Sequence, residues 1–385
     1  MKKQLLLPAL LLSAPCWAQQ PASAQDKHTK TVVIRGQFTG DTKGYNKVYV
    51  YGTNVKSDSA VMTNGLFTFT MPFEKPFTPA FYTEYDTRVN RMYSPYVVLV
   101  DQPGTVTLSK GDISKGMHSM VLSGLPSAVS FENFRKQQQD VRQSVTTTLT
   151  EKYGKDFYQD SNPQAAAAKK EMDELLKAKM ASLLQDFVSK NPDSYAAAWV
   201  LSGAGRSLDI ATLESIHSRL SDRMKATDEA RNVVDYINGV KNSTIGSAVA
   251  DFTLNTPDEK PVVFSQLKGK YVLIDFWASW CGPCKQSFPH MKEVYKKYKS
   301  DQFEIYSISI DKDKNAWLKG VEEQQLPWLS TLDTKNVSQR GFAITAVPTT
   351  YLVGPDGKIL MKEVGFEPDG SSPIEKKLEE LFGKK

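Results

Sequence analysis

Cysteine is almost absent from this chain: three in 385 residues, at positions 16, 281 and 284. So few exclude a small scaffold stapled by several disulfides. Histidine is nearly as scarce. His28, His118, His217 and His290 are scattered, none at metal-ligand spacing, so no metal site is expected. Beyond the N-terminal segment no run approaches the ~20 apolar residues that a membrane-spanning helix needs. Neither sign of charge dominates. The 48 Lys and Arg are interspersed with 43 Asp and Glu, for a net charge of +5. That pattern excludes a nucleic-acid surface. Phosphate-cradling and serine-nucleophile signatures of the G-x-G-x-x-G, P-loop and G-x-S-x-G kinds are missing too, and no cofactor is expected.

What is present divides the chain. A length of 385 residues predicts two or three domains. Lys2 and Lys3 precede an apolar run from Leu5 to Leu12, followed by small residues. This reads as a signal peptide over 1–18, with cleavage after Ala18 or near Ala22–Ala24. Lipid anchoring at Cys16 is the less favoured alternative, because Pro15 and Ser13 flank it poorly. Cleavage would leave Cys281 and Cys284 as the only thiols, with no bystander to form wrong mixed disulfides.

Residues 19–30, rich in Gln, Ala and Ser, read as a disordered lead. Over 31–125 the hydrophobic period is two, with turn residues recurring, which predicts an all-β, sandwich-like domain. Asn64-Gly65 between Val61-Met62 and Leu66–Thr70 predicts a hairpin. A second hairpin is expected from Tyr96–Val100 and Thr105–Leu108. Over 126–241 the pattern turns helical: 128–152, 164–190 behind Pro163, 194–201, 208–224 and 227–240. Asn242–Ser247 reads as a linker, and residues 242–385 as a third, α/β domain.

That last domain holds the chemistry. Cys281-Gly282-Pro283-Cys284 follows the apolar, strand-like run 271–278 and opens a helical pattern reaching Tyr298, with Pro289 inside it. C-x-x-C alone also occurs in zinc sites, but the strand-then-helix setting indicates a redox dithiol. At a helix N-terminus, unpaired N–H groups and the helix dipole stabilise a thiolate, so Cys281 should ionise below the free-thiol value of about 8.5. Cys284, one turn further in, is placed to close on it.

Trp280 directly before the motif, Lys285 directly after it, Asp275 six residues upstream and Val347-Pro348-Thr349 before a strand-like run together make residues 242–385 resemble thioredoxin. Between Cys281 and Pro348 the chain carries an additional helix, 314–325, and strand, 328–331. That αβ insert, and the order of β-domain, helices and thioredoxin-like domain, resemble extracytoplasmic thiol:disulfide oxidoreductases of the TlpA/ResA type, including Bacteroidetes members with an N-terminal β-domain. Many of that type carry Glu three residues after the second cysteine; Ser287 stands there in this chain.

The resemblance implies roles. Cys281 would attack a substrate disulfide, and Cys284 would resolve the mixed disulfide. Asp275 would be a buried acid relaying a proton for Cys284, its pKa raised by burial. Pro348 would be cis, with Val347 offering its backbone to an extended peptide, Trp280 forming an apolar ledge and Gly282-Pro283 fixing the loop. Trp277, Trp317 and Trp328 are expected in packing. The expected activity is periplasmic reduction of disulfides in exported proteins, with clients of the cytochrome c maturation kind and re-reduction by a membrane thiol donor. Disulfide oxidation or isomerisation remains open. So does a partner-binding protein whose dithiol only regulates the contact.

Overall fold

Alternation with period two builds the N-terminal layers. In β1 (Thr31–Thr39) Val32, Ile34, Gly36 and Phe38 point inward while Thr31, Arg35 and Gln37 face solvent. The computed structural model describes residues 30–159, 161–366 and 372–383. The expected signal peptide, Cys16 and all but the last residue of the expected lead lie outside them. After β1 come β2 (Lys47–Gly52), β3 (Val55–Val61), β4 (Leu66–Pro72), β5 (Ala80–Thr83), the short α1 (Glu84–Arg88), β6 (Tyr96–Val97), β7 (Gly104–Asp112) and β8 (Val121–Gly124). They form two four-stranded sheets, ordered β4-β1-β7-β8 and β3-β2-β5-β6. Both inner faces share one core, with Val32, Ile34, Phe67, Phe69 and Val106 from one sheet and Val48, Val50, Phe81 and Tyr96 from the other. This is the sandwich expected from the alternation.

Two expected hairpins are corrected. The Asn64-Gly65 turn exists, with φ of 52° and 75°. It closes as expected, with Thr63 and Leu66 exchanging backbone hydrogen bonds at 3.0 and 2.9 Å, but the pairing stops there: the flanks belong to different sheets, since β3 pairs with β2 and β4 with β1. The chain crosses between layers because the turn docks on the end of β1, where Phe38 N–H donates to the Gly65 carbonyl at 2.9 Å. A Cβ at Gly65 would stand 2.1 Å from the Phe38 oxygen, so only glycine fits. Likewise β6 pairs with β5, whereas β7 runs parallel to β1 and antiparallel to β8.

Helices α2 (Pro126–Tyr153), α3 (Ala165–Lys190), α4 (Tyr195–Ala204), α5 (Ile210–Ser218), α6 (Asp222–Lys225) and α7 (Asp228–Asn242) follow. The single helix expected over 208–224 is broken into α5 and α6. Ser221 takes an extended backbone and its side chain accepts from Met224 N–H, starting a new helix. These helices have their own core, which also takes in Leu99 from beside the sandwich. At that junction Glu132, 3% exposed, pairs with Arg135, whose guanidinium lies 4.7 Å above the Tyr96 ring.

The C-terminal part opens with an antiparallel pair, β9 (Thr253–Asn255) and β10 (Pro261–Val263). The main sheet has the order β13-β12-β11-β14-β15, from β11 (Tyr271–Trp277), β12 (Phe303–Ser309), β13 (Leu329–Leu332), β14 (Thr349–Val353) and β15 (Ile359–Val364). β11, β12 and β13 are parallel; β14 and β15 form the antiparallel edge. Both faces are covered, so β12 is buried at all seven positions, its polar Glu304, Ser307 and Ser309 included. On one face lie α8 (Gly282–Tyr298) and α11 (Pro373–Phe382), with Trp317 of α9 (Lys314–Gln324). Phe342, Ile344 and Val337 of α10 (Val337–Arg340) cover the other. The expected αβ insert is α9 with β13.

The helical part and this α/β part meet through α7 and α10. Asp235 accepts from Arg340 Nε at 2.9 Å and from Asn336 Nδ2 at 3.0 Å. Gly239 lets the backbones close, since a Cβ there would stand 1.9 Å from the Gln339 carbonyl oxygen.

Candidate active site

The end of β11 and the start of α8 bring the motif together. Buried Asp311 accepts from Ser279 N–H and Ser279 Oγ, both at 2.8 Å, and so fixes the segment entering the motif. Cys281 is the N-cap of α8: its backbone is extended and its Sγ accepts from Cys284 N–H at 3.1 Å. Pro283 falls within the first helical turn, where its missing N–H costs nothing. Pro289 lies inside α8 and removes one backbone donor there.

Cys281 and Cys284 are joined as a disulfide. Cys284 is fully buried and Cys281 is 4% exposed, while Gly282 and Pro283 face solvent. Trp280 is 69% exposed beside them, whereas Trp277 is buried, its ring 5.2 Å from Phe288. The Val347–Pro348 peptide is cis. It brings the Val347 carbonyl oxygen to 3.5 Å from Cys281 Sγ. The dithiol, the Trp280 ledge and the Val347 carbonyl thus lie together.

On β11, the strand that leads into the motif, Asp275 is 1% exposed. Its register neighbours are Ser307 on β12 and Thr350 on β14. Burial pushes its carboxyl up to about 7, opposed by the hydrogen bond from Ser307 Oγ at 2.8 Å. Trp328 Nε1 donates in turn to Ser307 Oγ at 2.7 Å. Asp275 Oδ2 is therefore held by a two-step chain from β12 and the insert, while Oδ1 has no hydrogen-bond partner among the described residues. Ser287 does not carry the charge that many TlpA/ResA-type proteins place there; its Oγ donates to the Cys284 carbonyl at 2.8 Å.

Sequence reasoning missed Ser307, Asp311 and the hydrogen bond of Trp328. Ser307 lies 32 residues from Asp275. Only the parallel pairing of β11 with β12 makes them neighbours. Polar residues interspersed among Phe303, Ile305, Tyr306 and Ile308 were the available signal, in Ser307 and Ser309 alike.

Fold and geometry define a disulfide-exchange enzyme. Residues 245–362 match the AhpC/TSA family. The chain is 32% identical over 127 residues to thiol-disulfide oxidoreductase ResA of Bacillus subtilis (strain 168), spanning 33% of this chain and 71% of that protein. It is 34% identical over 119 residues to ResA of Oceanobacillus iheyensis, 30% of this chain and 62% of that one. Solved structures similar to it include a putative thiol:disulfide interchange protein DsbE from Chlorobium tepidum, at 32% identity and TM-score 0.34, covering 35% of this chain and 96% of that one. Another is the C-terminal domain of a putative thiol-disulfide oxidoreductase from Bacteroides thetaiotaomicron, at 31% identity and TM-score 0.33, covering 36% and 97%. This chain belongs to the ResA family of thiol-disulfide oxidoreductases.

Proposed function

We infer that this thiol-disulfide oxidoreductase works as a reductase of disulfides in exported proteins, in the periplasm, through Cys281 and Cys284. The observation that carries the reading is a two-cysteine pair at a helix N-terminus above a buried carboxyl that titrates near neutrality. In the reduced form the α8 N-terminus favours the Cys281 thiolate. That thiolate attacks one sulfur of a substrate disulfide; the substrate S–S bond breaks and one substrate thiolate leaves. Asp275 takes the Cys284 proton, and the resulting thiolate attacks Cys281 Sγ, forming the intramolecular disulfide and releasing the second substrate thiolate. Two electrons pass to the substrate. A dithiol donor returns them, and a membrane-borne donor suits a compartment without a reducing pool of its own.

Extended substrate would lie across Trp280, Gly282-Pro283 and the cis Val347–Pro348 loop, with the Val347 carbonyl accepting a backbone N–H. Exported cytochrome c precursors are one client class the family suggests. Equilibration of the mature protein against defined thiol buffers tests the direction of electron flow. A potential near or below about −250 mV is expected for a reductase; a value above about −180 mV would make it an oxidase or isomerase instead.

A further inference from the structure

Asp275 also faces a cavity of about 60 Å³, shared with Ser287, His290, Pro348, Glu363 and Glu375 and lined by neither Cys281 nor Cys284. A water needs about 10–15 Å³ of such space, so a few fit. The Asp275 Oδ1 that lacks a protein partner belongs to a residue of this wall. Further along the cavity, His290 of α8 and Glu375 of α11 meet, Nε2 to Oε2 at 3.0 Å, with side chains 30% and 23% exposed. The contacting His290 Nε2 is itself buried, and the remainder of each side chain is partly exposed. Among the described residues, the titratable groups facing Asp275 across this space are His290 from α8, Glu363 from β15 and Glu375 from α11, and no Lys or Arg lines it. On its sheet, Ser307 and Thr350 flank it.

We propose that Asp275 exchanges its proton with solvent through this cavity, by way of His290 and Glu375, rather than past Cys281. The inference rests on the reading of Asp275 as proton acceptor for Cys284 and adds the route by which that proton leaves. When Cys284 closes on Cys281, the proton it lost sits on Asp275, and the new disulfide covers the way it came. A cavity water accepts it from Asp275, the His290–Glu375 pair accepts it from that water as a unit that needs both members, and bulk solvent takes it. Re-reduction runs the same transfers backwards and supplies the proton that the released Cys284 thiolate needs. No electrons move along the path.

The test uses the full chain in the oxidised state, where thiol chemistry is silent. The exchange rate between protonated and ionised Asp275 is read from the carboxyl 13C line shape through its titration. His290→Ala and Glu375→Gln should each slow that exchange by about a hundredfold, the low end of what positioned proton-transfer groups contribute. Added imidazole should restore part of the rate in His290→Ala, which a merely structural role would not allow. Unchanged exchange in both variants overturns the proposal. Asp275→Asn separates it from the underlying reading. It must remove the resonance and slow release of substrate from the mixed disulfide. Release at the wild-type rate would sink the role of Asp275 itself, whatever the exchange experiment shows.

Discussion

Replacing Asp275 by Asn changes stability in a way whose sign depends on pH. In the fold the carboxyl titrates at about 7 instead of the ordinary 3.8, because burial penalises its charge. Between those values the native protein holds a proton that the unfolded chain has lost, so native stability falls as pH rises from about 4 to 7 and is level beyond. A gap of about three pH units at 1.36 kcal/mol each puts the cost of ionised Asp275 at about 4 kcal/mol, to order of magnitude. Asn cannot ionise, so that cost vanishes. Its amide N–H₂ would occupy the position of Oδ1, which has no protein partner among the described residues, at a pH-independent penalty of about 1–3 kcal/mol. The variant should therefore be less stable than wild type near pH 4 and more stable by about 1–3 kcal/mol at pH 8. Denaturant unfolding of the oxidised full chain, followed by tryptophan emission at a series of pH values, measures both curves. Parallel curves from pH 4 to 8 would refute the reasoning.

Ser307→Ala removes the hydrogen bond that opposes the shift, so the Asp275 titration should move above about 7; a carboxyl 13C titration that stays put or moves down contradicts this. Cys284→Ser should accumulate mixed disulfides on Cys281, visible as thiol-sensitive mass adducts, while Cys281→Ser should form none. Gly239→Ala forces a Cβ against the Gln339 carbonyl and should destabilise the α7–α10 contact by about 1–3 kcal/mol. Faster protease cleavage in the 242–252 connection would report it, and wild-type resistance would argue against that packing.

The sequence made the dithiol legible because its signals are local: an apolar strand, a two-cysteine turn and a helix follow one another within thirty residues. The cis-proline loop was legible only through resemblance, since nothing local distinguishes Val347-Pro348 from an ordinary turn. The sandwich was readable as a class but not in its pairings. Alternation along β4 tells which side chains point inward, not which of two sheets receives the strand. β3 was read only at its end, Val61: Lys56, Ser57, Asp58 and Ser59 are all exposed on an edge strand, so it carries no apolar alternation. The support beneath Asp275 was hidden for a different reason. Ser307 and Trp328 reach it only through the parallel register of a sheet assembled from distant segments.

The sandwich, the helices and the α/β part are all held by apolar cores, and between residues 30 and 383 the sequence has no cysteine besides Cys281 and Cys284. In electrochemical terms this stretch is a single two-electron couple mounted on a redox-inert body. A dithiothreitol titration of it should show one Nernstian wave, with no second bond to reduce and no unfolding step superimposed. The exposed indole of Trp280, beside the disulfide, makes that wave readable without a label.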